Sequence, residues 1–249
     1  MHALKKIPLL LSLSLLSPVY AADLNREQVI ELLNKASTEK PANLRRKDLK
    51  GINLSRLDFR KADLWGADLR GTDLSYSNLS GLVLDLTVMV RVNLSHANLS
   101  KVSIFGVSMM HSNLSHTNFS QSRVIANLDH SNMTSANLSN VRWGADMKNQ
   151  PMGLMRVSLN KVNLSKANLE NADLSRSTLR FANLTAANLS HANLSSSDLT
   201  AANFTKANLS HAKLNSSQIS EAQFSAAILK NASFAKVQGL ESARSLNIK

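Results

Sequence analysis

Residues 181–214 read FANLTAANLSHANLSSSDLTAANFTKANLSHAKL, a stretch built almost wholly from Ala, Asn, Ser and Leu that sets a Leu or Phe at every fifth position without a slip. A helix repeats near 3.6 residues and a strand at 2, and neither generates a five-residue repeat with two inward positions. A chain that turns a corner every five residues does. The large residue and the small one two places before it, such as Leu189 and Ala187, then face a narrow axis. The Asn or Asp between them bonds nearby backbone and favours a turn, which places it at a corner. The other two residues of each unit point outward. Coils built this way satisfy their backbone groups against the coils above and below.

The pattern extends well beyond this stretch. From Leu44 an apolar residue falls at each fifth position through Val124, and a second unbroken run leads from Leu154 to Phe234. Units such as Ala-Asn-Leu-Ser-His, Ala-Asp-Leu-Arg-Gly and Ala-Asn-Phe-Thr-Lys resemble the A(D/N)LXX units of the pentapeptide-repeat family, over about residues 42–236. The resemblance implies an all-β solenoid: a right-handed quadrilateral parallel β-helix of pentapeptide repeats, four units to a coil, with stacked coils about 4.8 Å apart. It does not by itself imply an activity. Some members of the family imitate DNA and bind a topoisomerase through an acidic coil surface. This chain departs from them, because Asp48, Asp58, Asp63, Asp68 and Asp73 take the position before the central Leu or Phe, while Arg45, Arg46, Arg56, Arg60, Lys61, Arg70 and Lys101 point outward.

The ends and the interruptions divide the chain. Residues 1–22 read as a secretory signal peptide, with Lys5 and Lys6 before the apolar run Ile7 to Leu16 and a small-residue cleavage site at Val19-Tyr20-Ala21. Residues 23–41 form an N-terminal capping helix and linker, with Asn25 as N-cap, Gln28 closing a capping box and Leu24 stapled on Val29. Residues 42–147 hold the first set of coils. Spacing shortens to four between Val124 and Leu128 and again between Trp143 and Met147, which predicts a bulge or bend. Residues 148–153, Lys-Asn-Gln-Pro-Met-Gly, form a breaker-rich loop interruption. Residues 154–236 resume the coils, and residues 237–249 form a C-terminal cap or tail, since an open solenoid end needs covering.

Composition narrows the function classes. The chain has 43% hydrophobic but only 4% aromatic residues and no Cys, which excludes disulfides and thiol chemistry. No zinc-protease motif, phosphate loop or nucleophile elbow is present, and the many Ser, His and Asn recur because the repeat copies them. No enzyme activity, cofactor or small-molecule substrate is expected. The expected product is exported, periplasmic or secreted, without an integral membrane span after cleavage, and acts as a protein-binding or scaffold module of the cell envelope.

One stretch breaks the repeat chemistry where it counts for binding. The outward positions of the units centred at Leu64, Leu84, Ile104 and Val124 carry Trp65, Leu86, Phe105 and Ile125, and Val83 and Val88 stand where Asn or Asp is usual. These six form the expected protein-binding face, for another protein or for self-association. Two alternatives accompany it. The Arg45 to Arg70 region offers a basic face to an anionic polymer of the envelope or a nucleic acid. The spacing of His96 and His116, His111 and His130, and His191 and His211 stacks imidazoles in pairs that suggest weak metal binding.

Overall fold

The computed structural model describes residues 22–145 and 156–246. Within them the chain winds as a right-handed parallel β-helix. Single parallel bridges join Asn53 to Asp73, Asp73 to Asn93 and Asn93 to Asn113, one coil apart. Backbone hydrogen bonds tie each coil to both neighbours: Leu74 donates upward to Asn93 O at 2.7 Å and Asn93 donates downward to Thr72 O at 3.0 Å. Because the chain turns so often, paired runs are short. β1, Ala42–Asn43, pairs with β2, Ala62–Asp63, and β3, Ser103–Ser108, with β4, Arg123–Asn127.

Four sides result, and their central residues stack in columns. Side 1 begins Leu44, Leu64, Leu84; side 2 Leu49, Leu69, Met89; side 3 Leu54, Leu74, Leu94; and side 4 Phe59, Leu79, Leu99. Every described central residue from Leu44 to Phe224 is no more than 1% exposed. Each buried Leu contributes about 1.5–3 kcal/mol, and repetition of that term holds the tube together. Where Ser or Thr replaces the inward Ala, the hydroxyl donates to a backbone carbonyl, as Thr72 does to Leu49 O at 2.6 Å and Thr117 to Leu94 O at 2.8 Å.

The corners differ from the expectation. Asn and Asp do not make them: these residues lie on the flat sides, in the bridges. The side-chain oxygen of Asn93 accepts from the N–H of Ser95 at 3.2 Å, and the Asn113 amide donates to that same oxygen at 3.2 Å from the coil above. The corner is made by the outward pair, whose second residue is left-handed: φ is 54° at Arg46, 59° at His96 and 57° at Phe181. A non-glycine residue there costs about 1–2 kcal/mol, and inter-coil bonds such as His96 N–H to Ser115 O at 2.9 Å offset it.

Two register breaks interrupt the stack. A normal coil separates partners by 20 residues, as in Asn93 and Asp73, but Asn137 and Asn118 are 19 apart and Asn160 and Asp129 are 31 apart. The first break follows from the shortened spacing after Val124. β4 runs through it without a left-handed corner, so Val124, Ile125 and Ala126 are buried in succession. The second lies between Trp143 and Leu159, and the predicted loop 148–153 falls outside the described residues.

At the N-terminus α1, Arg26–Asn34, carries the expected capping box between Asn25 and Gln28, and Val29 is fully buried in the common core. Asp23 closes the first strand edge, its N–H donating to Asp48 O at 2.7 Å and its carboxylate accepting from Asp48 N–H at 2.8 Å. At the other end the described residues after 236 continue the coil, with bridges from Gln218 to Gln238 and Gln223 to Arg244, and a short 3-10 turn at Leu240–Ser242. Among the described residues no helix is long and apolar enough to cross a membrane.

Candidate functional site

Sides 1 and 2 bring five of the six expected binding residues together. Val83 and Val88 occupy flat-side positions in consecutive pentads and are 55% and 37% exposed; Leu86, at the corner between them, is 52% exposed. Trp65 lies one coil below on side 1 and Phe105 one coil above, both half-buried. Leu86 lies against Gly106 of the coil above, where an added Cβ would stand at an ordinary contact distance of 3.9 Å. Ile125 is a correction to the expected set. It pairs in register with Phe105 but is only 4% exposed, because the missing residue after Val124 removes the corner that would have turned it outward.

Trp65 is held from below by two guanidinium groups, Arg45 at 4.6 Å and Arg46 at 5.0 Å from the ring centroid. Between Trp65 and Phe105 in the outward column lies Asp85, a residue the sequence reading passed over. One of its carboxylate oxygens is sealed from solvent without a hydrogen-bond partner, the one such side-chain atom among the described residues. Its sequence signal is the acid inside GLVLDLTV, at an outward position rather than in the usual Asn/Asp slot.

The Arg45 to Arg70 region carries less free charge than its composition suggests. Arg45 pairs with Asp63 at 2.9 Å, Arg60 with Asp58 at 2.6 Å, Arg70 with Asp68 at 2.5 Å and Lys50 with Asp48 at 2.7 Å. Hydrogen bonds from Lys50, Arg60 and Arg70 hold the carboxyls of Asp48, Asp58 and Asp68 below the ordinary carboxylate range. A carboxylate with a lowered folded pKa adds stability above its unfolded value, about 3.9, and loses it as pH falls through the folded value. Surface pairs contribute little. Melting temperatures measured from pH 7 to 3 are therefore expected to stay level above about pH 4 and dip below it, with the dip reduced in the combined Asp58→Asn and Asp68→Asn variant.

The expected histidine pairs stack closely. His96 and His116 lie 4.6 Å apart with planes 3° from parallel, His111 and His130 5.0 Å apart at 21°, and His191 and His211 4.7 Å apart at 3°. Nitrogen lone pairs lie in the ring plane, so rings stacked this way direct them side by side rather than toward one ion. No group of three or more His, Asp or Glu suited to a metal occurs among the described residues.

The continuous ladders, left-handed corners and single apolar column per side define a β-solenoid that presents flat outer sides. The chain belongs to the pentapeptide-repeat family: a model described as pentapeptide repeats (8 copies) matches residues 42–75, 69–104 and 89–124, and one described as a pentapeptide repeat region matches residues 152–224. Among solved structures it is similar to QnrB1, a plasmid-mediated fluoroquinolone resistance protein, at 16% identity over 77% of this chain and 90% of that one with a TM-score of 0.60. It is also similar to HetL, a pentapeptide repeat protein involved in heterocyst differentiation regulation from the cyanobacterium Nostoc sp. strain PCC 7120. That match has 27% identity over 88% of this chain and 96% of that one, with a TM-score of 0.41. No curated protein matches the sequence.

Proposed function

We propose that the protein is an exported, non-enzymatic scaffold of the cell envelope that binds protein through the ridge across sides 1 and 2, and that the ridge is occupied by a second copy of the chain. The observation that carries this reading is the exchange of polar for apolar residues at three neighbouring outward positions, Val83, Leu86 and Val88, which stand 55%, 52% and 37% exposed. Contiguous exposed apolar surface of this kind marks interfaces, and Trp65 and Phe105 at its ends are of the residue types that anchor them. Export rests on the signal-like composition of residues 1–22.

Charge complementarity favours a second copy as the occupant. Asp85 is half-buried and, like Arg46 over Trp65 in the coil below, is in no ion pair among the described residues. A two-fold interface presents the same patch from both subunits, so Arg46 of each copy can meet Asp85 of the other.

Sedimentation equilibrium at micromolar concentration tests this. The wild type is expected to dimerise, and the Trp65→Ala, Phe105→Ala pair to weaken the dimer about tenfold or more with an unchanged thermal melt. Asp85→Arg and Arg46→Asp should each weaken association and together restore it. A monomeric wild type, or a dimer that the alanine pair leaves intact, overturns self-association through this ridge.

A further inference from the structure

On side 3, opposite side 1 and next to side 2, the two bounding corners carry ladders of rings and cations. The corner between sides 2 and 3 stacks Arg91, His111, His130 and Lys161 in successive coils, and the His111 and His130 rings are 5.0 Å apart. The corner between sides 3 and 4 stacks Arg56, Tyr76, His96 and His116. Arg56 sits 4.5 Å over the Tyr76 ring, and each successive ring pair is 4.6 Å apart. Two coils beyond His116 the column reaches Lys166. All four histidines are exposed.

The acids facing these ladders are few. On the flat of side 3 only Asp73 lies near, accepting from the N–H of Ser75 at 2.9 Å and the Asn93 amide at 2.9 Å. On side 2, Asp129 accepts from the Ser158 hydroxyl at 2.6 Å and from Asn160 N–H at 2.8 Å. Side 4 contributes Asn98, Asn118 and Asn137 beside the second ladder, with Asp58, held by Arg60, next to Arg56 at its foot and Glu170 in the coil of Lys166. Between the ladders run Asn93, Asn113 and Asn132 with Ser95, Ser115 and Thr134. No histidine forms an ion pair with a carboxylate among the described residues.

We infer that side 3 is an acid-activated binding surface for an anionic polysaccharide laid along the solenoid axis. Histidine changes charge between about pH 5 and 8. With the imidazoles neutral, the side and its corners carry Arg26, which donates to Asn53 O and Ser55 O, the ion-paired Lys50 and Arg70, the Tyr76-stacked Arg56, and Arg91, Lys161 and Lys166. Protonated, the four imidazoles add charge in two parallel rows. Two imidazolium rings 4.6 or 5.0 Å apart repel one another, and an anion that bridges them relieves the repulsion, so proton uptake and anion binding reinforce each other.

A polysaccharide suits this surface better than a nucleic acid. Single-stranded nucleic acid is gripped by aromatic faces on which bases stack, whereas the imidazole faces here are occupied by one another. Their edges point out and donate N–H groups to anions. The flat between the ladders offers amides and hydroxyls, which suit sugar hydroxyls.

Binding of the mature chain to polygalacturonate, measured at pH 5.5 and 7.5 in equal salt, tests the inference. Affinity is expected to rise about tenfold or more on acidification. Changing His96, His111, His116 and His130 together to Gln should abolish the rise, and changing them to Lys should make binding tight at both values. Both residues fit the left-handed corners, as Gln121 at φ 60° and Lys101 at φ 60° show. The pair His191→Gln and His211→Gln, at the corner between sides 4 and 1, should leave the rise in place. Binding equal at both pH values, a rise that survives in the Gln quartet, or one lost equally in the His191 and His211 pair overturns the surface. Tighter binding of poly-dT than of polygalacturonate at pH 5.5 overturns the polysaccharide as its ligand.

Discussion

Leu189→Asp is expected to abolish folding of the coils around it. Leu189 is fully buried between Leu169 below and Leu209 above in the side 4 column, with the backbone closed by Leu169 N–H to Asn188 O at 2.6 Å and Leu189 N–H to Asn208 O at 2.7 Å. The tube is only one pentad wide on each side, so a carboxylate there finds neither water nor a cation. An uncompensated buried charge costs about 3–5 kcal/mol or more, a large share of the 5–15 kcal/mol that holds a typical domain. Leu189→Met keeps volume and polarity and should cost less than about 1.5 kcal/mol. Circular dichroism and urea denaturation of the two variants check the contrast. A soluble Leu189→Asp protein with a wild-type melt would remove the assignment of this column to the core.

Trp143→Ala is expected to uncouple the two halves of the stack. Trp143 is fully buried on side 1, above the shortened coil, where its ring meets Phe119 edge-on at 5.4 Å and its indole N–H donates to the Ser122 hydroxyl at 3.0 Å. Truncating a buried Trp costs about 3–5 kcal/mol through lost transfer energy and the remaining cavity. In a solenoid each coil is stabilised mainly by its neighbours, so a loss at this junction weakens one interface rather than the whole. Urea unfolding should therefore separate into two steps in Trp143→Ala where the wild type shows one. Trp143→Phe fills most of the space but leaves the Ser122 oxygen without its donor, and adding Ser122→Ala should recover part of that loss. A single transition at the wild-type midpoint in Trp143→Ala would show that the junction does not carry the coupling.

The repeat made the coil legible because its information is local. Leu44 to Phe224 are inward for the same reason in every pentad, a large apolar residue recurring at a period that only a four-cornered coil can bury. Asn25 and Gln28 announced the capping helix in the same local way. Of the binding residues, Val83, Leu86 and Val88 were readable because each replaces a polar residue at a position whose direction the repeat had already set. Ile125 was not, since its direction depends on how a shortened unit crosses to the next side. A deletion can be absorbed at a corner or along a strand, and the packing of β3 on β4 selected the strand.

By itself the sequence determined the period, the inward columns and the break in polarity at residues 83–88, all of which follow from spacing and residue type. Only the tertiary structure decided that the outward pair rather than Asn forms the corner, that the arginines near residues 45–70 are largely neutralised, and that Asp85 lies between Trp65 and Phe105. It also decided that the histidine pairs are parallel stacks bounding one side. These outcomes depend on which residues of successive coils meet across 20, 19 or 31 positions, and contacts at that distance are set by the register of the coils, which no single pentad contains.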